Sequence, residues 1–285
     1  MAKALVLGGA TGLLGQALVT VLRRRQWDVE TLSRTDGDLL NMAFLEESLA
    51  RSGANVIFNA VGWTKVDDAE DHQEEAMLVN ATLPDALARL IRNNSSARLV
   101  HFSTDFVFSG QRSSPWTEDD EPSPVSVYGR TKLAGEKNVL ASLPERSIIL
   151  RTAWLFGPGR KNFVTSILAA CDAGQQVKVV QDQFGSPTYT IDLAEWSVKL
   201  AEKEATGLWH AVNSGQASWC ELAAEAVALT GKLCRVTPID SSQWPQKARR
   251  PAYSVLGTTR LARFLGAQPR PWPQALRSYL FSSGQ

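Results

Sequence analysis

Cysteine, histidine and clustered charge are all scarce in this 285-residue chain. Its three cysteines, Cys171, Cys220 and Cys234, are far apart, with no Cys-x-x-Cys pair and no histidine at metal-ligand spacing. They read as buried or inert thiols, and no metal site is expected. The three histidines, His72, His101 and His210, are scattered, and each reads as a packed side chain. Acidic and basic residues nearly cancel, 29 against 30, and no basic run is longer than Arg23-Arg24-Arg25, read as a solvated helix end. Without a clustered basic surface, neither nucleic acid nor an anionic membrane is an expected partner. Met1 to Leu7 is too short an apolar run for a signal peptide or a membrane helix, so a cytoplasmic location is expected.

What the chain does have is alternation. Short apolar runs at Ala4 to Leu7, Val29 to Leu32, Val56 to Asn59, Leu99 to Ser103 and Ile148 to Arg151 read as strands buried on both faces. Between them, amphipathic stretches predict helices at Gly12 to Arg25, Met42 to Arg51, Glu74 to Asn93 and Val127 to Leu140. Pro84 should bend the third of these or divide it in two. The pattern is α/β, a parallel sheet wrapped by helices over residues 1–153. Beyond Trp154 it loosens: helices are expected at 162–173, 191–203 and 218–230, with strands at 177–180 and 208–212 returning to extend the sheet over about 176–213. Residues 154–285 otherwise form a smaller C-terminal lobe, ending in a tail rich in Pro, Trp and Arg.

Gly9-Ala10-Thr11-Gly12-Leu13-Leu14-Gly15 follows the first strand and opens the first helix. Glycines there let backbone N–H groups approach a pyrophosphate at a helix N-terminus, so Gly9, Thr11, Gly12, Leu13 and Leu14 are candidate dinucleotide contacts. The second strand ends in Ser33-Arg34, where an NAD site would offer an acid to the ribose. Serine and arginine favour the 2′-phosphate of NADPH, with NADH also acceptable; Arg34 as a solvated loop residue is the plainer reading. Asp38 and Leu39 would lie near the adenine, and Asn59, Ala60 and Val61 would run under the cofactor.

Tyr128 and Lys132 stand four residues apart, on one face of a helix. A phenol ionises near pH ~10, and a neighbouring ammonium would bring it closer to neutrality for proton transfer. Ser103-Thr104-Asp105 ends the preceding strand, at the sheet edge where ligands bind in such folds, and places a hydroxyl beside the tyrosine. Thr104, Tyr128 and Lys132 are therefore the candidate catalytic set.

The spacing Gly-x-x-Gly-x-x-Gly is similar to that of extended short-chain dehydrogenases, which implies a Rossmann-type doubly wound sheet with a smaller C-terminal substrate-binding lobe. Further segments narrow the resemblance. Asn59 to Glu70 (NAVGWTKVDDAE), continued by Val79-Asn80, resembles NAAAxTxVDxAE of dTDP-4-dehydrorhamnose reductases; Ser103 to Gly110 resembles STDYVFDG. Val127 to Glu136, Arg151 to Trp154, Asn162-Phe163, Asp182 to Thr188, Gly207 to His210 and Arg249 to Pro251 follow in the family's order. The resemblance implies NADPH-dependent reduction of the 4-keto group of dTDP-6-deoxy-L-lyxo-4-hexulose to dTDP-L-rhamnose. Tyr128 would donate the proton and Thr104 position the carbonyl. Lys132 would lower the tyrosine's pKa and hold the nicotinamide ribose, with Asn80 and Ser103 also at the cofactor. Thr64, Lys65, Val66, Asp105, Phe106, Trp154, Asn162 and Arg250 would meet the nucleotide sugar. Trp154 is read equally well as a core aromatic, and Arg250 nearly as well as a solvated cation. Gly8, Gly62-Trp63 and Phe106 depart from the family pattern, and Ala17 replaces the glutamate with which some members bridge a dimer through a metal. The expected assembly is a monomer or homodimer. Two other readings belong to the same resemblance: a reductase or epimerase of another nucleotide-linked keto-deoxysugar, and a non-catalytic NADP-binding regulatory subunit of the methionine adenosyltransferase type.

Overall fold

The structure is a computed structural model that describes residues 2–281. The first half alternates as expected: β1 (Lys3–Leu7), α1 (Leu13–Arg24), β2 (Asp28–Leu32), α2 (Met42–Ser52), β3 (Val56–Asn59), α3 (Gln73–Met77), α4 (Leu83–Asn94), β4 (Arg98–Thr104), α5 (Val127–Ser142) and β5 (Ser147–Thr152). Then come β6 (Leu155–Phe156), α6 (Phe163–Asp172), β7 (Val177–Val180), β8 (Phe184–Gly185), β9 (Thr188–Tyr189), α7 (Thr190–Glu202) and β10 (Gly207–His210). The chain closes with β11 (Ala217–Ser218), α8 (Trp219–Leu229), β12 (Val236–Ile239), α9 (Thr259–Leu265) and α10 (Trp272–Phe281).

Six strands form one parallel sheet in the order β10-β5-β4-β3-β1-β2. Strand order reverses between β1 and β3, so the loops after these two strands open a crevice at the sheet's C-terminal edge. Apolar side chains on both faces explain the continuous hydrophobic runs. Val6, Phe58, Val100 and Leu150 pack on one side against Leu18 and Leu22 of α1 and Leu193 of α7. Leu7, Ile57, Leu99 and Ile149 pack on the other against Leu45 of α2, Leu87 of α4 and Val139 of α5. On α1, Leu14, Ala17, Leu18, Val21 and Leu22 fall on the buried stripe that a period of 3.6 residues predicts.

Three expectations need correction and one is met. β10 extends the sheet, but the strand at Val177–Val180 pairs with β12 instead, because its valines pack beneath α8 through Ala223. Pro84 divides the third helix as expected: α3 passes through a π turn at Leu78–Thr82 into α4, and the proline takes the second position of α4, where a missing N–H costs little. His101 and His210 are fully buried, whereas the His72 side chain is 46% exposed. Cys171 and Cys234 are not inert thiols but a disulfide, closing a 63-residue separation between α6 and the segment before β12; Cys220 alone is free. That pairing joins distant segments, which spacing alone could not reveal.

Candidate active site

A cavity of about 580 Å³ opens at the crevice between the sheet edge and the C-terminal lobe. Gly12, Leu13 and Leu14 line it at the N-terminus of α1. Gly12 supplies no side-chain cap there, and the first turn holds no acid, so the leading N–H groups and the positive end of the helix dipole face the cavity. The helix can sit this close because Gly15 lacks a Cβ, which would lie 2.1 Å from the Gly8 carbonyl oxygen. This cradle fits a diphosphate. Gly9 and Thr11 shape the turn without lining the cavity.

Ala60 and Val61 line the cavity, and Asn59 sits beneath them, its amide oxygen accepting from Val61 N at 3.2 Å and its nitrogen 3.1 Å from His101 Nδ1. Asn80 is fully buried and joins two elements: it binds both backbone groups of Trp63 and donates to Thr131 Oγ1 of α5. Ser33, Arg34, Asp38 and Leu39 do not line this cavity. The Ser33 hydroxyl donates to Asp36 at 2.8 Å, while Arg34 is exposed.

Tyr128, Lys132 and Thr104 all line the cavity. Ser126 caps α5 by accepting from Gly129 N, and Glu70, from the loop after β3, accepts from Val127 N at 2.8 Å. Two acids of the VDDAE segment thus act as braces, Glu70 on this helix and Asp67 on the C-terminal lobe. One turn beyond Lys132, Glu136 forms a bidentate pair with Arg151 of β5 at 2.7 and 2.9 Å and accepts the Ser103 hydroxyl. All three side chains are buried, which fixes α5 against β4 and β5.

Electrostatics here differ from expectation. Burial pushes the Tyr128 phenol up to about 12, a rise only partly offset by the neighbouring Thr104 side chain. Burial also pulls Lys132 down to about 8, and its ammonium donates to the Phe102 carbonyl. The ammonium therefore does not depress the phenol; desolvation dominates both groups. The Thr104 hydroxyl donates to Asp105 Oδ1 at 3.0 Å and accepts from Phe106 N at 3.2 Å. Asp105 in turn accepts from Ser254 of the C-terminal lobe, and burial raises its carboxyl to about 6.

Among the expected sugar contacts, Thr64, Val66, Asp105, Phe106, Trp154 and Asn162 line the cavity. Lys65 does not: its side chain is 80% exposed, with its ammonium 4.0 Å from Asp68. Arg250 does not either, because its guanidinium grips Asp67 at 2.7 and 2.9 Å. Asp67 also accepts from Lys247 N and Ala248 N, and these bonds hold its carboxyl below the ordinary range. The Asn162 side chain caps α6 and binds the preceding loop. Trp219, Arg160 and Lys161 line the cavity without having been anticipated. Trp219 stacks on Trp154 with ring centroids 3.5 Å apart, an arrangement with no local sequence signal across 65 positions.

Residues 2–283 match the family described as the RmlD substrate binding domain. A dTDP-4-dehydrorhamnose reductase of Streptomyces griseus is 40% identical over 94% of this chain and 90% of its own length. The chain belongs to the dTDP-4-dehydrorhamnose reductase family. A probable dTDP-4,6-dihydroxy-2-methyloxan-3-one 4-ketoreductase of Streptomyces antibioticus is 39% identical, over 94% of this chain and 92% of its own. The crystal structure of a Bacillus anthracis dTDP-4-dehydrorhamnose reductase in complex with NADP superposes with a TM-score of 0.94 at 29% identity, covering 99% of this chain and 100% of that one. Among the described residues no helix is long and apolar enough to cross a membrane.

Proposed function

We propose that this protein reduces the 4-keto group of dTDP-6-deoxy-L-lyxo-4-hexulose to give dTDP-L-rhamnose, using NADPH. The observation that carries this reading is the convergence of Tyr128, Lys132 and Thr104 on a cavity bounded by an uncapped helix N-terminus and an indole wall. The family's reductases and the NADP held by the Bacillus anthracis protein support it. When bound, the dinucleotide supplies the hydride; the chain's residues supply geometry and the proton.

The free amides of Leu13 and Leu14 would take the pyrophosphate, and Ala60, Val61 and Ser103 would floor the cofactor. A phenol held near 12 is fully protonated at neutral pH, which is the form a proton donor to a forming alkoxide requires. Lys132, anchored on the Phe102 carbonyl in the same cavity, would hold the nicotinamide ribose beside the tyrosine. Thr104, fixed by Asp105 and Phe106, sets the carbonyl's place, and Trp154 with Trp219 gives the sugar a flat wall. Residues from 154 onward, apart from α7 and β10 at the central sheet, are the substrate lobe in this reading.

Relatives of nearly equal identity carry names with different keto sugars, so the test must offer more than one. NADPH consumption is measured with dTDP-6-deoxy-L-lyxo-4-hexulose and with dTDP-4-keto-6-deoxy-D-glucose. Stoichiometric NADPH loss with the first and much slower loss with the second is expected. Sugar conversion without net NADPH loss would identify an epimerase and reject the proposal.

A further inference from the structure

We infer that Arg160 and Lys161, on the loop joining β6 to α6, are the diphosphate-binding cations of this cavity, and that Asn162 positions them. The inference rests on the cavity being the nucleotide site proposed above. Four charged side chains line the cavity: Lys132, Asp105, Arg160 and Lys161. Lys132 is anchored on the Phe102 carbonyl, and Asp105 accepts from Thr104 and Ser254. The Arg160 guanidinium makes a single hydrogen bond, to the Thr11 carbonyl at 3.2 Å, and among the described residues neither Arg160 nor Lys161 pairs with an acid. Cations just outside the cavity are neutralised, Arg250 by Asp67 and Lys247 by Asp71. Lys132 apart, the cavity's positive charge without an acidic partner among the described residues therefore lies on one wall, and it favours an anion there.

The position of that wall identifies the anion. Thr11 precedes Gly12, so the Arg160 guanidinium sits beside the uncapped amides that open α1. A planar guanidinium and several N–H groups converging on one mouth match the oxygens of a diphosphate. The loop is built for close approach. Gly159 has φ +92°, and a Cβ there would lie 2.0 Å from the Gln16 amide oxygen, so the loop packs directly on α1. Asn162 frames it, donating to the carbonyls of Gly157 at 2.9 Å and Arg160 at 3.2 Å while its own oxygen accepts from Thr165 N. Its amide is thus committed to the loop, which makes it a positioning residue.

A diphosphate can come from the dinucleotide or from the nucleotide sugar, and binding titrations separate the two. The full-length protein is titrated with NADPH and, separately, with thymidine diphosphate, at low and high salt. Wild type is compared with Arg160→Gln, Arg160→Lys, Lys161→Gln and the double glutamine variant, with the exposed Arg92→Gln as a control expected to bind like wild type. Arg160→Gln should weaken one of the two ligands about tenfold and flatten its salt dependence, with Arg160→Lys recovering part of the loss. Weakened NADPH binding names the dinucleotide and weakened thymidine diphosphate binding the nucleotide sugar; either supports the inference. Both ligands bound within twofold of wild type by the double glutamine variant would overturn it. Asn162→Ala should add nothing to the loss already caused by Arg160→Gln, whereas additive losses would remove its positioning role. These readouts need no turnover. A wild type that binds as described but reduces neither keto sugar would refute the proposed activity and leave the cations assigned.

Discussion

The two walls of the cavity are held by different means. The sheet-side wall is fixed by buried charge and backbone: Glu136 and Arg151 lock α5 to β5, and Asn80 ties the loop after β3 to the same helix. The lobe-side wall is fixed by aromatic stacking, a capped helix and a disulfide, with Trp154 on Trp219, Asn162 on its loop and Cys171 joined to Cys234. The first wall carries the groups proposed to move a proton, which need angstrom-level placement. The second carries the groups proposed to choose a ligand. The comparison teaches that damage to the reacting groups of the first wall should show as lost rate, damage to the cavity-lining groups of the second as altered affinity, and damage to the buried supports of either as lost stability.

Breaking the buried pair should have the largest effect on stability. Arg151→Met leaves the Glu136 carboxylate buried without its partner and is expected to cost about 3–5 kcal/mol in urea unfolding. Replacing Glu136 with leucine in the same protein should restore much of this. A loss below about 1 kcal/mol for the single variant would mean that the pair does not hold the sheet-side wall. Cys171→Ser opens a 63-residue closure and should cost about 2–4 kcal/mol, with NADPH affinity unchanged because the bridge lies on the lobe. A large drop in NADPH affinity instead would show that the two walls are not independent.

The same division explains what could be read from the residues alone. The strands of the sheet, the glycine turn and the Tyr128 and Lys132 pair were legible because each depends on local periodicity or a fixed offset along one helix. Arg250 was misplaced because nothing near it in the chain reveals that Asp67, 183 positions earlier, claims its guanidinium. Trp219 and the Cys171 to Cys234 bridge were missed for the same reason: their partners are distant in sequence and meet only when the lobe folds. Arg160 and Lys161 went unnoticed because their significance lies in lacking a partner, a property of three-dimensional surroundings. The direction of the Tyr128 shift was misread because burial, which no motif encodes, outweighs the neighbouring ammonium.

The central claim is that Tyr128 donates the proton in reduction of a nucleotide-linked 4-keto sugar. The most direct test compares wild type with Tyr128→Phe, measuring NADPH consumption with dTDP-6-deoxy-L-lyxo-4-hexulose and NADPH binding on the same preparations. Removing the hydroxyl should lower kcat by about 10²–10⁴-fold while leaving NADPH affinity within a few-fold. Turnover retained within a few-fold of wild type would contradict the role assigned to Tyr128 and the mechanism built on it.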